Sequence, residues 1–213
     1  LPLQKGKTVY VPKRFTPAAK DWFGNTVPEK LEYPVNMELL KKYFSVTEDP
    51  AQADYAIVFV TGPASGTGYD KSDREKGGNG YVPISLQYGP YTAGDAREKS
   101  IAAGDPVIDP TITNRSYKGK TITASNVTDL KSILETKAAM KGKPVIVSLA
   151  LASPVVVAEF ENQVNGIIAS FKVQDQAIFD IVAGVSEPSA LLPLQFPADM
   201  KTVEEQAEDV PQD

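Results

Sequence analysis

Apolar residues along the chain gather in short continuous runs. Tyr55-Ala56-Ile57-Val58-Phe59-Val60, Pro144-Val145-Ile146-Val147-Ser148-Leu149 and Gly166-Ile167-Ile168-Ala169-Ser170-Phe171 are the clearest. A strand covered on both faces reads this way, as in a parallel sheet. Thr8-Val9-Tyr10-Val11 is a shorter β-prone run stopped by Pro12. Helical spacing appears elsewhere: at Met37, Leu39, Leu40 and Tyr43, opened by Pro34 or Asn36, and at Leu130, Ile133, Leu134 and Lys137. Ser125 or Asn126 can cap the second, and Gly142 stands where a helix-ending glycine belongs. Ser153-Pro154 predicts a helix through Val157, Phe160 and Glu161, with proline in its first turn. Asp175 predicts another through Ile178, Phe179 and Val182 to Gly184, and Leu191–Phe196 reads as a last extended segment. Strands alternating with helices in short steps imply βαβ units, hence an α/β fold with helices on both faces of a mostly parallel sheet.

Two stretches escape this alternation. Residues 12–34 are rich in Pro, Lys and aromatics without a period and read as an ordered loop. Residues 62–124 carry Gly, Pro, Tyr, Ser and Asp with no long periodic element, although Val82-Pro83-Ile84-Ser85-Leu86 could be a short one. So long a loop in a compact domain is unusual and is functional or conceals short elements. Ligands of such sheets bind beyond the carboxyl ends of the strands. Those ends are Thr61-Gly62, Leu149–Ala152 and Phe171–Asp175, and the long loop leaves from the first.

Composition narrows the chemistry. The 213 residues suit one domain, read as 1–213 with a lead-in segment 1–50, the loop region 62–124 and an acidic tail 200–213. Net charge is −5 with no Lys/Arg-rich run, so nucleic acid is not an expected partner. There is no Cys and no His. Thiolate and histidine catalysis are excluded within the chain, as are Cys- or His-ligated metals. Carboxylates, Tyr and Lys remain for proton transfer. No apolar run reaches the ~20 residues of a membrane span, so no membrane partner is expected. The start Leu1-Pro2-Leu3 suggests an excised or processed piece.

Several constellations could carry function. Gly66-Thr67-Gly68 follows a strand, but no third glycine follows at dinucleotide-loop spacing, and a turn is the better reading. Asp70, Asp73, Arg74 and Glu75 form a charged cluster that could supply a general acid or a cation site, or be a solvated loop. Tyr69, Tyr81, Tyr88, Tyr91 and Tyr117 share the loop region. Aromatic faces beside carboxylates suit sugars, which have apolar faces and hydroxyl edges; packing of the loop is the alternative. Asn114-Arg115-Ser116 and Asn126-Val127-Thr128 match the glycosylation pattern.

Ala53-Asp54-Tyr55-Ala56-Ile57-Val58-Phe59-Val60, Gly142-Lys143-Pro144-Val145-Ile146-Val147-Ser148-Leu149, Val164-Asn165-Gly166-Ile167-Ile168 and Glu187-Pro188-Ser189-Ala190-Leu191-Leu192-Pro193 follow one another in order. Together they resemble the C-terminal domain of glycoside hydrolase family 3, over about residues 50–200. The resemblance implies a three-layer sandwich around a six-stranded, mostly parallel sheet. It implies retaining hydrolysis of a β-linked glucoside or oligosaccharide, with the nucleophile on an N-terminal barrel outside this chain and no cofactor or metal. Asp21-Trp22 resembles that family's nucleophile motif, but Lys20 precedes it and no barrel strand leads into it, so it reads as loop packing. Members also lend an acid/base Glu or binding residues from the loop after the Asp54–Val60 strand. That loop often reads Gly-Glu-Gly-x-Asp; Ser65-Gly66-Thr67-Gly68-Tyr69-Asp70 lacks the Glu. Glu75 and Asp70 are the acid/base candidates, and Ser65, Gly66, Tyr69 and Arg74 the substrate-binding candidates. The alternative is a non-catalytic sugar-binding or structural module supporting the barrel; an unrelated flavodoxin-like domain is a third reading. The resemblance also favours a secreted or periplasmic protein from a bacterium.

Overall fold

A computed structural model of the chain describes residues 3, 6–21, 23–100, 111, 113–188 and 191–206. Strands β1 (Thr8–Tyr10), β2 (Arg14–Thr16), β3 (Ala19–Lys20), β4 (Thr26–Val27) and β5 (Lys30–Glu32) come first. Helix α1 (Met37–Leu40), β6 (Ser45–Thr47), β7 (Tyr55–Thr61), α2 (Lys71–Glu75), β8 (Tyr91–Thr92) and β9 (Thr121–Ile122) follow. The chain continues through α3 (Thr128–Ala139), β10 (Val145–Ala150), a 3₁₀ turn (Glu161–Gln163), β11 (Gly166–Ser170), α4 (Asp175–Val182) and α5 (Met200–Glu205).

Five strands form one parallel sheet in the order β11-β10-β7-β1-β6. The three continuous apolar runs are its adjacent central and flanking strands. Their alternate residues feed two cores. Ala56, Val58 and Val60 meet Val145, Val147 and Leu149 under Ile133 and Met140 of the α3 region. Ile57, Phe59 and Ile146 face Leu40 from α1 and Ile178, Phe179 and Val182 from α4. An α/β sandwich therefore forms as expected, with five strands in the sheet among the described residues where six were expected. After α3 the chain reverses through Lys141 and Gly142, both at positive φ (47° and 88°), the conformation in which glycine carries no Cβ penalty.

Four local expectations differ from the structure. Ser153-Pro154 starts no α-helix: Val155 is buried in the α3-side core while Val156 turns into a third cluster with Tyr91 and Met200. The Val156 amide donates to the Leu86 carbonyl (2.8 Å), so this stretch packs under the long loop instead of coiling. Residues 12–34 are no loop but an antiparallel arm, β2 with β5 and β3 with β4. Its ladder breaks at Pro17 and Pro28, which have no N–H to donate. Val82–Leu86 and Leu191–Phe196 are not strands. The acidic tail begins as α5; residues 207–213 lie outside the described residues, as do Trp22 of the Asp21-Trp22 pair and Ser189-Ala190 of the final motif.

Candidate functional site

The site is built from the carboxyl end of β7. There Asp129, at the start of α3, is 1% exposed. Arg14 donates to both of its oxygens (Nε to Oδ1 and Nη2 to Oδ2, 2.8 Å each) and to the Thr61 hydroxyl (2.7 Å). The Asn126 amide donates to Asp129 Oδ2 (2.9 Å) and to the Gly62 carbonyl (3.1 Å), and its oxygen accepts from the Ala64 amide (2.8 Å). Asn126 thus pins the exit of the long loop. At 4% exposure with its amide engaged, it is closed to glycosylation in the folded chain. Asn114 is likewise committed, accepting from Ser100 and Ser116 amides and donating to the Glu98 carbonyl.

Within the 62–124 region, the described residues 62–100, 111 and 113–124 are held by their own short elements. Tyr88 is fully buried; its hydroxyl donates to the Thr61 carbonyl (2.6 Å), and burial pushes its pKa up. The Glu159 carboxylate accepts from the Tyr88 and Gly89 amides (2.6 and 2.8 Å). The Lys120 ammonium donates to Asp73 Oδ2 (2.6 Å), Asn79 Oδ1 (2.7 Å) and the Tyr81 carbonyl (2.7 Å), which fills its three N–H bonds. That hydrogen bond holds the Asp73 carboxyl below the usual aspartate range.

Between this loop and α5 lies a cavity of about 540 Å³, lined among others by Tyr81, Arg97, Arg115, Tyr117 and Glu204. The Tyr91 and Tyr117 hydroxyls donate to Glu204 Oε1 (2.7 Å) and Oε2 (3.2 Å). Burial, then the Glu204 carboxylate, pushes Tyr91 up. The Arg115 guanidinium lies over the Tyr81 ring, 5.5 Å from its centroid. Aromatic faces, paired cations and a fixed carboxylate in one cleft can bind a polar ring compound by its faces and edges.

The expected site residues are not gathered in that cleft. Ser65 is buried, its hydroxyl donating to the Ser85 carbonyl and accepting from the Ser85 amide (2.8 Å each). Gly66 turns at φ 87°. Tyr69 packs edge-on to Tyr81, with centroids 5.6 Å apart. Asp70 caps α2, accepting from the Ser72 hydroxyl and amide, and the hydroxyl above all holds its pKa down. Glu75 ends the same helix, exposed, with Lys71 at 3.9 Å. Arg74 donates to the Gly78 carbonyl (3.2 Å) and the Thr111 hydroxyl (3.4 Å). Among the described residues no group of three or more His, Cys, Asp or Glu is placed to hold a metal, and no helix is long and apolar enough to cross a membrane. Sequence reading missed Arg14, Asp129, Arg115 and Glu204. One sign of the last was legible: Met200, Val203 and Glu204 share a helix face at i, i+3 and i+4.

The family described as glycosyl hydrolase family 3 C-terminal domain matches residues 91–212. The chain is 41% identical over 70 residues to Beta-glucosidase C of Emericella nidulans, covering 33% of this chain and 11% of that protein. Probable beta-glucosidase C of Aspergillus flavus and of Aspergillus oryzae are each 40% identical over 70 residues, again 11% of their length. The matched segment therefore spans about a ninth of these curated relatives. All three are fungal, which overturns the expectation of a bacterial source, and their names state no location.

Proposed function

The chain belongs to the family of glycosyl hydrolase family 3 C-terminal domains, and we propose that it forms one half of a β-glucosidase-type active site completed by an N-terminal barrel. The barrel carries the nucleophile, and the 62–124 region of this chain walls the cleft. The observation that carries this reading is the placement of the loop's described residues: they leave the carboxyl end of a central parallel strand and, with α5, line a 540 Å³ cleft of tyrosines, arginines and Glu204. Retaining glycoside hydrolysis needs two carboxyl groups roughly 5–5.5 Å apart, and on this reading the second comes from the barrel.

The arm supports a partner of that kind. Phe15 pairs with Leu31 in one two-stranded segment of the arm and Ala19 with Val27 in the next, while Phe23 at its tip is 86% exposed and Leu31 64% exposed. Such a ribbon cannot cover its own apolar face. The barrel is the surface proposed to do so.

Of the acid/base candidates, Glu75 is the better general acid. Ser72 holds the Asp70 carboxyl ionised to lower pH, which opposes proton donation. The chain alone is expected to leave an aryl β-glucoside intact; turnover by the pure chain sinks the division of labour. Recombined with the barrel, Glu75→Gln should lower kcat by ~100-fold or more if Glu75 moves the proton. A change confined to KM supports the second reading, a non-catalytic wall. The internal hydrogen bonds that occupy Ser65 and Asp70 favour that second reading for those two residues.

A further inference from the structure

The loop cleft is lined by a cation with an unmet donor. Arg115 is half-buried, and its Nε is buried without a hydrogen-bond partner. Its guanidinium forms no ion pair among the described residues. It lies over the Tyr81 ring. A ring face meets the charge of a guanidinium but offers no lone pair to its five N–H bonds. A buried donor without an acceptor is unfavourable, more so on a charged group, unless a ligand meets it.

The surroundings hold this cation in place. The Arg115 backbone amide donates to the Ser100 hydroxyl (2.8 Å). The Asn79 side-chain amide donates to the carbonyls of both neighbours, Asn114 (3.1 Å) and Ser116 (2.7 Å). Lys120 fastens Asn79 in turn (2.7 Å). Tyr81, beneath the guanidinium, is braced edge-on by Tyr69. The chain on either side of Arg115 and the ring under it are both tied down, so a ligand meets a donor set already in position.

The rest of the lining selects the ligand class. Arg97, Arg115 and Glu204 are the charged residues among those lining the cleft. Glu204 accepts from the Tyr91 and Tyr117 hydroxyls, so neutral donors hold it and Arg115 is left to a ligand. A dianion such as phosphate would set two negative charges against the Glu204 carboxylate; a monoanion matches one guanidinium. The guanidinium fork fits the two oxygens of a carboxylate. Val82, Ile84, Leu86 and Val203 line an apolar side, which suits the face of a sugar ring rather than a free ion. The cleft volume of about 540 Å³ falls within the roughly 300–1,000 Å³ of small-molecule sites.

We propose that the loop cleft binds a sugar ring carrying one carboxylate, a uronate, with Arg115 receiving the carboxylate. The binding stands on the cleft alone; that this ring belongs to the substrate rests on the active-site reading above. NMR titration of the 213-residue chain with glucuronate, glucose and inorganic phosphate tests it. Glucuronate should give saturable shifts at the Arg115 Nε–H and at the Ser116 and Tyr117 amides. It should bind about tenfold or more tightly than glucose, since its hydrogen bonds to Arg115 are charge-assisted. Arg115→Gln should lose that preference, and Arg115→Lys, which keeps the charge without the fork, should keep part of it. Unchanged Val58 and Val147 amides in each variant separate lost binding from lost folding. Should Arg115→Gln fail to fold, Arg115→Lys and the comparison of glucuronate with glucose decide. The proposal is overturned if glucuronate gives no saturable shifts, if glucose or phosphate binds the same amides as tightly, or if both variants bind glucuronate as the unaltered chain does. With the barrel present, glucuronate should also compete with an aryl β-glucoside for turnover. Binding without competition overturns the active-site reading and leaves the uronate site standing; turnover without uronate binding does the reverse.

Discussion

Asp129 is shielded from solvent, and Arg14 meets it there with two parallel hydrogen bonds. That bond, foremost, also raises the Arg14 pKa. Removing one partner of a buried pair leaves an uncompensated charge, at about 3–5 kcal/mol. Arg14→Met is therefore expected to destabilise by that order, and Arg14→Met with Asp129→Leu by markedly less; urea denaturation of the set checks this. Asp73 behaves differently because its pKa is depressed by Lys120. A depressed carboxyl adds stability above its ordinary value of about 3.9 and loses it as pH falls through the lower folded value. The advantage of the unaltered chain over Asp73→Asn should thus be full near neutrality and shrink as pH falls below about 3.9, read from denaturation midpoints across pH.

The β2–β5 arm has a different relation to stability. Leu31 and Phe23 are open to solvent, so Leu31→Ser and Phe23→Ser remove little burial. Both should leave the melting temperature within about 0.5 kcal/mol equivalent of the parent, as surface changes do, yet weaken association with the barrel in a pull-down or calorimetric titration. A loss of several kcal/mol in the chain alone would mean that the arm is part of the core. The arm was illegible in advance because Pro17 and Pro28 break the alternation that identifies a ribbon. β6 escaped for its brevity: Ser45-Val46-Thr47 offers one apolar residue between two hydroxyls. By contrast β7, β10 and β11 were legible, since burial on both faces forces a continuous apolar run. The helix expected from Ser153 was not wrong in its periodicity, but Val155 and Val156 answer to two different clusters, a tertiary demand that spacing cannot express. The loop cleft was half legible: its tyrosines were visible, while Arg115 and Glu204, 89 positions apart, meet only through the fold.

The molecule is a sheet with a loop fastened over one end, and the two differ in how they are held. β7 and β10 sit in the middle of the parallel ladder, covered on both faces. The 62–124 region rests on a smaller cluster of Tyr91, Ala93, Ala96, Val156 and Met200 and on polar ties, chief among them Lys120. Regions with few apolar contacts open at lower free energy than the core. Amides of Tyr91, Ala93 and Ile122 should accordingly exchange with deuterium well before those of Val58 and Val147. Lys120→Met removes three charge-assisted hydrogen bonds at once and leaves Asp73 without its cation. It should lower loop protection by roughly 1–3 kcal/mol while Val58 and Val147 keep theirs. Equal losses in both regions would show that loop and sheet unfold together, and that the cleft is as rigid as the strands beneath it. The predicted inequality is what a cleft completed by a second domain requires: a wall loose enough to adjust to its partner, on a sheet that does not move.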